Sequence, residues 1–265
     1  MKFETAIVDA DVLCYRCGFS VEKFDRINDI LEVEPVENAF YNVDLMVNKI
    51  LKVTGCSDYK MYLTSADRSN FRFGLFPEYK QHRKKQRKPY YYNELRDYLQ
   101  TRWKAEMVSG EEADDKCSIE HCLINKSDYL DGYDCYHWNK DVRRSVLCSI
   151  DKDFNNVPGW HYNFVNDRVY YVGETEALRT FYLQILTGDD ADGIPRIKKG
   201  WRQKKIEALL SKAETERQML ESVKEEVIQI YPDLSPQDIE SLLLLRGRLV
   251  WLRRKENELW QPIKV

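Results

Sequence analysis

Phe3-Glu4-Thr5-Ala6-Ile7-Val8-Asp9-Ala10-Asp11 opens the chain with a short apolar run that ends in two carboxylates. A run of this length predicts a strand buried on both faces, as in the middle of a parallel sheet. Side chains two apart share one face of a strand, so Asp9 and Asp11 are expected to point at one place. The pattern returns downstream. Residues 59–65 (YKMYLTS) and 145–151 (SVLCSID) read as further strands, with weaker candidates at 105–108, 160–164 and 168–172. Between the first two, Ala39, Val43, Met46, Val47, Ile50 and Leu51 recur at helical spacing, with Asn38 a candidate cap and Gly55 past the end. Glu111 to Ile124 predicts another helix.

Strands alternating with helices predict an α/β fold with a mainly parallel sheet, which binds ligands beyond the carboxyl ends of its strands. Asp9, Asp67 and Asp151 fall at such ends. After about residue 173 only helical patterns remain: 174–188, one or two charged helices over 201–230, and a last one opened by Ser235-Pro236 as cap and first residue. The chain is therefore expected to divide into an α/β part, 1–173, and a helical part, 174–265.

The 265 residues are 43% hydrophobic and 32% charged, the composition of a water-soluble globular protein. No stretch approaches the ~20 apolar residues of a membrane span and no signal peptide is apparent, so the cytoplasm is the expected compartment. Seven scattered cysteines in a chain of this size are expected to be reduced thiols. Cys14 and Cys17 lack the second pair that zinc would need, and His82, His121, His137 and His161 show no metal spacing. His121 is expected to be packed within its helix.

The net charge of −3 is unevenly spread. Residues 80–88 (KQHRKKQRK) hold six basic side chains and residues 196–205 (RIKKGWRQKK) six more, both without an acid. Against them stand ten carboxylates at five places: Asp9 and Asp11; Asp67; Glu112, Asp114 and Asp115; Asp151 and Asp153; Asp189 and Asp192. Alone, each group reads equally well as a helix N-terminus, a polar turn or solvated loop acids. Gathered by the fold, they would repel, and like charges that close resist ionising unless cations lie between them. Hard divalent ions with oxygen ligands are the natural remedy, and a pair ~3.5–4 Å apart forms the clamp used on phosphodiesters.

Ile7-Val8-Asp9-Ala10-Asp11, Phe71-Arg72, Pro77-Glu78-Tyr79-Lys80-x-x-Arg83, Glu112-Ala113-Asp114-Asp115, Asp151-Lys152-Asp153 and Gly188-Asp189-x-Ala191-Asp192 follow in that order over roughly residues 5–205. The series resembles the 5′-nuclease superfamily of flap endonucleases and 5′–3′ exonucleases, especially the short replication exonucleases of bacteriophages. The resemblance implies a PIN-like α/β fold with a helix–three-turn–helix region behind it. It implies two Mg²⁺ ions, replaceable by Mn²⁺. Asp9, Asp67, Glu112 and Asp114 would hold one, and Asp115, Asp151, Asp153, Asp189 and Asp192 would hold or orient the other. Asp11 lacks a carboxylate counterpart in many members and would stand behind the ligands.

Lys80 and Arg83 would contact the scissile phosphate, Tyr79 would stack on the terminal base, and Arg72 would join substrate binding. Lys198, Lys199, Lys204 and Lys205 would hold the backbone of duplex DNA. Tyr90, Tyr91 and Tyr92 could stack on bases or pack a helix. The segment 77–104 would form a short arch over the site. Arg196 and Lys199 stand where the family's glycines help bind K⁺, which puts that ion in question. The implied activity is Mg²⁺-dependent 5′–3′ exonuclease action on duplex DNA, with an RNA–DNA hybrid or a flap as further substrates. A single-strand ribonuclease of PIN type and a non-catalytic DNA-binding protein on a decayed nuclease fold are the alternatives.

Overall fold

The structure is a computed structural model that describes residues 1–25, 27–126, 138–200 and 203–263, without the side chains of Lys84, Lys85 and Gln203. Cys135, His137 and Arg202 lie outside the described residues. In chain order the elements are β1 (Thr5–Asp9), α1 (Ala10–Phe19), β2 (Glu22–Asp25), β3 (Ile30–Val33), α2 (Val36–Thr54), β4 (Asp58–Thr64) and α3 (Arg72–Leu75). A 3₁₀ turn (Gln81–Lys85), α4 (Tyr92–Trp103), β5 (Glu106–Val108), α5 (Ala113–Asn125) and β6 (Ser145–Cys148) follow. A second 3₁₀ turn (Lys152–Asn156), β7 (Gly159–Asn163), β8 (Arg168–Val172), α6 (Glu174–Thr187), α7 (Gln203–Leu210), α8 (Glu216–Ile230) and α9 (Pro236–Val250) complete the chain.

Six strands form one sheet in the order β5-β4-β1-β6-β7-β8. All neighbours pair in parallel except β7 and β8. β1 is buried along its whole length, because helices cover both faces of the sheet at that central position. The strand therefore reads as a continuous apolar run. Beyond Val172 the described chain is helical, and α6 to α9 gather around Phe181, Ile185, Leu220 and Val223. The tail after α9 turns back: Leu252 joins the core of the α/β layer with Ile7 and Tyr62.

Three local expectations need correction. Asp11 is not on a strand; β1 ends at Asp9 and the chain turns directly into α1. That helix escapes a periodicity search because its buried side is small, formed by Ala10, Cys14, Cys17 and Gly18 around Leu13. Gly18 lies against Pro89, whose Cβ a side chain at 18 would meet at 2.4 Å. The helix α2 starts at Val36 after Pro35, and Asn38 does not cap it but donates to the Glu34 carboxylate. The hairpin β2–β3 has no counterpart in the strand pattern read from the sequence. By contrast, Gly55 ends α2 in the left-handed conformation and Ser235 caps α9 through the Asp238 N–H. His121 is buried, between Ser145 and the Pro158 carbonyl.

Candidate active site

The carboxyl ends of β1 and β6 open on a cavity of about 680 Å³. Asp9 is the last residue of β1, and Asp11 lies in the first turn of α1. Asp151 caps the 3₁₀ turn after β6 by accepting from the Asp153 N–H at 2.9 Å. Glu112 caps α5, whose first turn supplies Asp114. Asp192 comes from a loop after α6 that closes on itself, Asp189 and Ile194 exchanging both backbone hydrogen bonds. Gly188 makes that closure possible: with φ +64°, a Cβ there would stand 2.2 Å from the Ile194 carbonyl oxygen. These seven carboxylates, Asp9, Asp11, Glu112, Asp114, Asp151, Asp153 and Asp192, line the same cavity. Asp189 faces a small recess behind it, together with Asp114, Asp153 and Asp192.

Lys80 and Arg83 reach the cavity from the other side. Lys80 takes a left-handed backbone conformation and donates its N–H to the Asp192 carbonyl at 2.8 Å, so the two loops hold each other. Its ammonium lies 2.5 Å from Glu112 Oε1 and 3.6 Å from Asp192 Oδ1. Arg83 meets Asp192 Oδ1 at 2.6 Å. The Tyr79 hydroxyl sits between Glu112 Oε2, at 2.8 Å, and Asp192 Oδ2, at 2.7 Å. One phenolic proton serves two acids there.

The remaining acids have no such help. Asp9, Asp114, Asp151 and Asp153 make no ion pair among the described residues. Burial, with the neighbouring Asp11 and Asp151 charges, pushes Asp9 up to about 8. Burial, Asp151 and Asp189 push Asp153 up to about 8 as well. Asp114 is raised as well, by burial and by Glu112 and Asp115. Glu112 goes the other way: burial would raise it, but the Lys80 ammonium and Arg72 guanidinium overcome that and hold it at about 2. Half of the site is thus neutralised from within, and the other half carries charge that only protons or added cations can balance. Among the described residues no three His, Cys, Asp or Glu side chains already converge as a closed cage for an ion.

Four residues expected at the site are placed elsewhere or turned to another use. Asp115 is fully buried, its two oxygens taken by Arg72 at 2.5 and 2.9 Å, the Arg253 N–H and the Glu112 N–H. Its acceptors are spent on the fold. Arg72, expected at the substrate, is 1% exposed and gives its remaining donors to the Leu249 and Trp251 carbonyls. It ties α5 to the end of α9. Tyr79, expected to stack on a base, is also 1% exposed, with only its hydroxyl reaching the acids. Asp67 is exposed and does not line the cavity. It accepts from Ser69 and Ser109, which hold its carboxyl down at about 2. Lys198 and Lys199 are exposed beside the buried Ile197; Lys204 and Lys205 are exposed on α7, where Lys205 lies 3.6 Å from Glu226.

Of one wall of the cavity, sequence reasoning named only Tyr92 and passed over the residues from α1. Val12, Tyr15, Phe19 and Tyr92 line it, with Tyr15 and Tyr92 ring centroids 5.3 Å apart and Tyr15 partly exposed. The missed α1 was the missing signal: once Ala10–Phe19 is helical, positions 12, 15 and 19 share a face with Asp11. Asp11 itself is a clamp. It accepts from the Thr64 N–H at 3.0 Å and from Arg96 at 2.9 Å, joining α1, β4 and α4.

The mainly parallel sheet with a helical region beyond it is also the fold of solved T5 5′-exonuclease structures. The comparisons with solved structures give particular likenesses. The T5 5′-exonuclease with zinc bound matches at a TM-score of 0.61 and 17% identity, over 94% of this chain and 89% of that one. A T5 protein co-crystallised with metal ions matches at 0.53 and 15% identity, over 93% and 95% of the two chains. A bacteriophage T5 flap endonuclease pseudo-enzyme–product complex with DNA and metal ions matches at 0.51 and 13% identity, over 93% and 99%. No family model matches this sequence, and neither does any curated protein.

Proposed function

We propose that this chain is a metal-dependent 5′-nuclease that hydrolyses phosphodiesters from the 5′ ends of duplex DNA. RNA–DNA hybrids and flaps are further substrates, and the setting is phage replication or primer removal. The observation that carries this reading is the set of four unpaired carboxylates, Asp9, Asp114, Asp151 and Asp153, on one cavity with Lys80 and Arg83 at its edge. Four negative charges are what two divalent ions neutralise. The donors are all oxygen, which suits Mg²⁺ or Mn²⁺. A closed cage is not required, because Mg²⁺ keeps several waters and is commonly held through one or two carboxylates. The likeness to a T5 complex holding DNA and metal ions supports the same reading.

Asp9, Asp114, Asp151 and Asp153 would hold the ions, with Glu112, Asp189 and Asp192 beside them; Asp67 and Asp115 serve the fold. Divalent cations held there would supply a water activated near neutral pH and charge neutralisation at phosphorus. The chain's own side chains do the positioning. An incoming phosphate competes with Glu112 and Asp192 for Lys80 and Arg83, whose donors then face its non-bridging oxygens and the charge that develops there. Tyr15, exposed on the cavity wall, offers its ring to an unpaired base, a contact worth ~1–3 kcal/mol in single-strand binders. Lys198, Lys199, Lys204 and Lys205 grip the duplex backbone away from the chemistry.

The test offers purified protein and Mg²⁺ a 5′-labelled blunt duplex, a flap, a single strand and an RNA–DNA hybrid, and reads product lengths and ends. Short products with 5′-phosphates from duplex ends are expected. Asp151→Ala should abolish them, and undiminished cleavage by that variant would sink the assignment.

A further inference from the structure

Beyond Asp151 the acidic cavity is continued by a second groove of about 330 Å³, which shares Ile150 and Asp151 with it. Its walls come from the 3₁₀ turn Lys152–Asn156, the β7–β8 hairpin and the start of α6. Where the first cavity is acidic, this lining is balanced, with two basic side chains against Asp151 and Glu176. Lys152 and Arg168 are exposed on it, and neither makes an ion pair among the described residues. The Arg168 guanidinium lies over the Tyr170 ring, 5.2 Å from its centroid. Tyr170 in turn stacks on the buried His161 and donates its hydroxyl to Asn155 Oδ1 at 2.9 Å.

The amides are oriented as well. Asn155 spends its oxygen on Tyr170, and Asn163 spends its own on the Val165 and Asn166 N–H groups. In both, the NH₂ end is the one left for a ligand. Two carboxylates also line the groove, Glu176 on the helix side and Asp151 where it meets the acidic cavity. Two cations and directed amide donors in a groove that leads from a set of acids select a ligand rich in acceptor oxygens and too long to stop at the first cavity.

We propose that this groove binds backbone phosphates of the nucleic-acid strand that enters the acidic cavity, through Lys152, Arg168 and the Asn155 and Asn163 amides. The inference rests on the nuclease reading for the identity of the strand. It assigns strand positioning to the β7–β8 edge, the end of the sheet opposite β5.

The test compares wild-type protein with Lys152→Ala/Arg168→Ala by fluorescence anisotropy, using 5′-fluorescein duplex and single strand in Ca²⁺ over a salt series. A control variant, Lys2→Ala/Lys52→Ala, removes the same charge where the N-terminus meets the end of α2. Two lost phosphate contacts should flatten the duplex salt dependence by roughly 1.8 in slope and weaken binding by on the order of 10- to 60-fold at about 0.1 M salt. The control should move neither. Asn155→Asp should weaken binding in the same direction by placing an anion among the phosphates. Unchanged affinity and slope in the double variant, or an equal loss in the control, would overturn the proposal. A wild-type protein that binds both DNAs but cleaves neither in Mg²⁺ refutes the nuclease reading instead.

Discussion

Replacing Asp9 by Asn should make the metal-free protein more stable, although the shape of the side chain hardly changes. Asp9 is 7% exposed and accepts from Ser149 Oγ at 3.1 Å, a bond the Asn oxygen keeps. The stability change comes from charge. Burial and the Asp11 and Asp151 carboxylates raise Asp9 from 3.8 to about 8. Folding therefore takes up a proton at this position between those two pH values, and wild-type stability falls as pH rises through that window. At 1.36 kcal/mol per pH unit, the ceiling at pH 8 is roughly 6 kcal/mol, and relaxation around the charge should leave about 2–4 kcal/mol. For a chain of this size that is on the order of 5–15 °C in Tm. Thermal and urea unfolding in EDTA at pH 4, 6 and 8 should show the two proteins equal at pH 4 and Asp9→Asn ahead at pH 8. Adding Mn²⁺ should reverse the order, because a ligand of the folded state stabilises only the protein that still binds it well. Parallel stability curves from pH 4 to 8, or a variant less stable than wild type at pH 8 in EDTA, would refute the reasoning.

Three further outcomes follow from the site. Lys80→Ala should lower kcat by ~10²-fold or more with a smaller change in KM, since its ammonium is placed for the developing charge; single-turnover cleavage separates the two, and a pure KM effect would reassign it to uniform phosphate grip. Arg72→Met should destabilise the fold by about 3–5 kcal/mol in urea, because it leaves Asp115 buried and unpaired; a weakened DNA affinity with normal stability would return Arg72 to the substrate. Neutralising Lys198 and Lys199 together should reduce the salt slope of duplex binding by roughly 1–2, at ~0.9 per phosphate contact, equally for all sequences; an unchanged slope would make both ordinary surface.

Much of this molecule was legible in the order of its residues. The apolar run before Asp9 is buried throughout, so its pattern is that of a central parallel strand. The acids at 112, 114, 151 and 153 meet Asp9 because topology sends the carboxyl ends of parallel strands to one edge, and the loop after α6 brings Asp192 to them. Local caps and stops, Gly55 and Ser235, are properties of a few adjacent atoms and needed no partner to be recognised.

What the chain order could not disclose is which acid meets which cation. Asp115 and Asp114 are neighbours in sequence, yet one is consumed by Arg72, 43 residues away, and the other is left facing the cavity without an ion pair. Tyr79 and Tyr15 are equally plausible stacking rings as letters; packing against Phe73 and the α6–α9 core hides the first, and the unforeseen helix α1 presents the second. Asp67 sits near the right motif and is turned aside by two serines, Ser69 and Ser109. Secondary structure follows from periodicity within a segment, whereas a carboxylate's role depends on distances between segments. Those distances exist only once the sheet has closed and the tail after α9 has returned to cover Asp115.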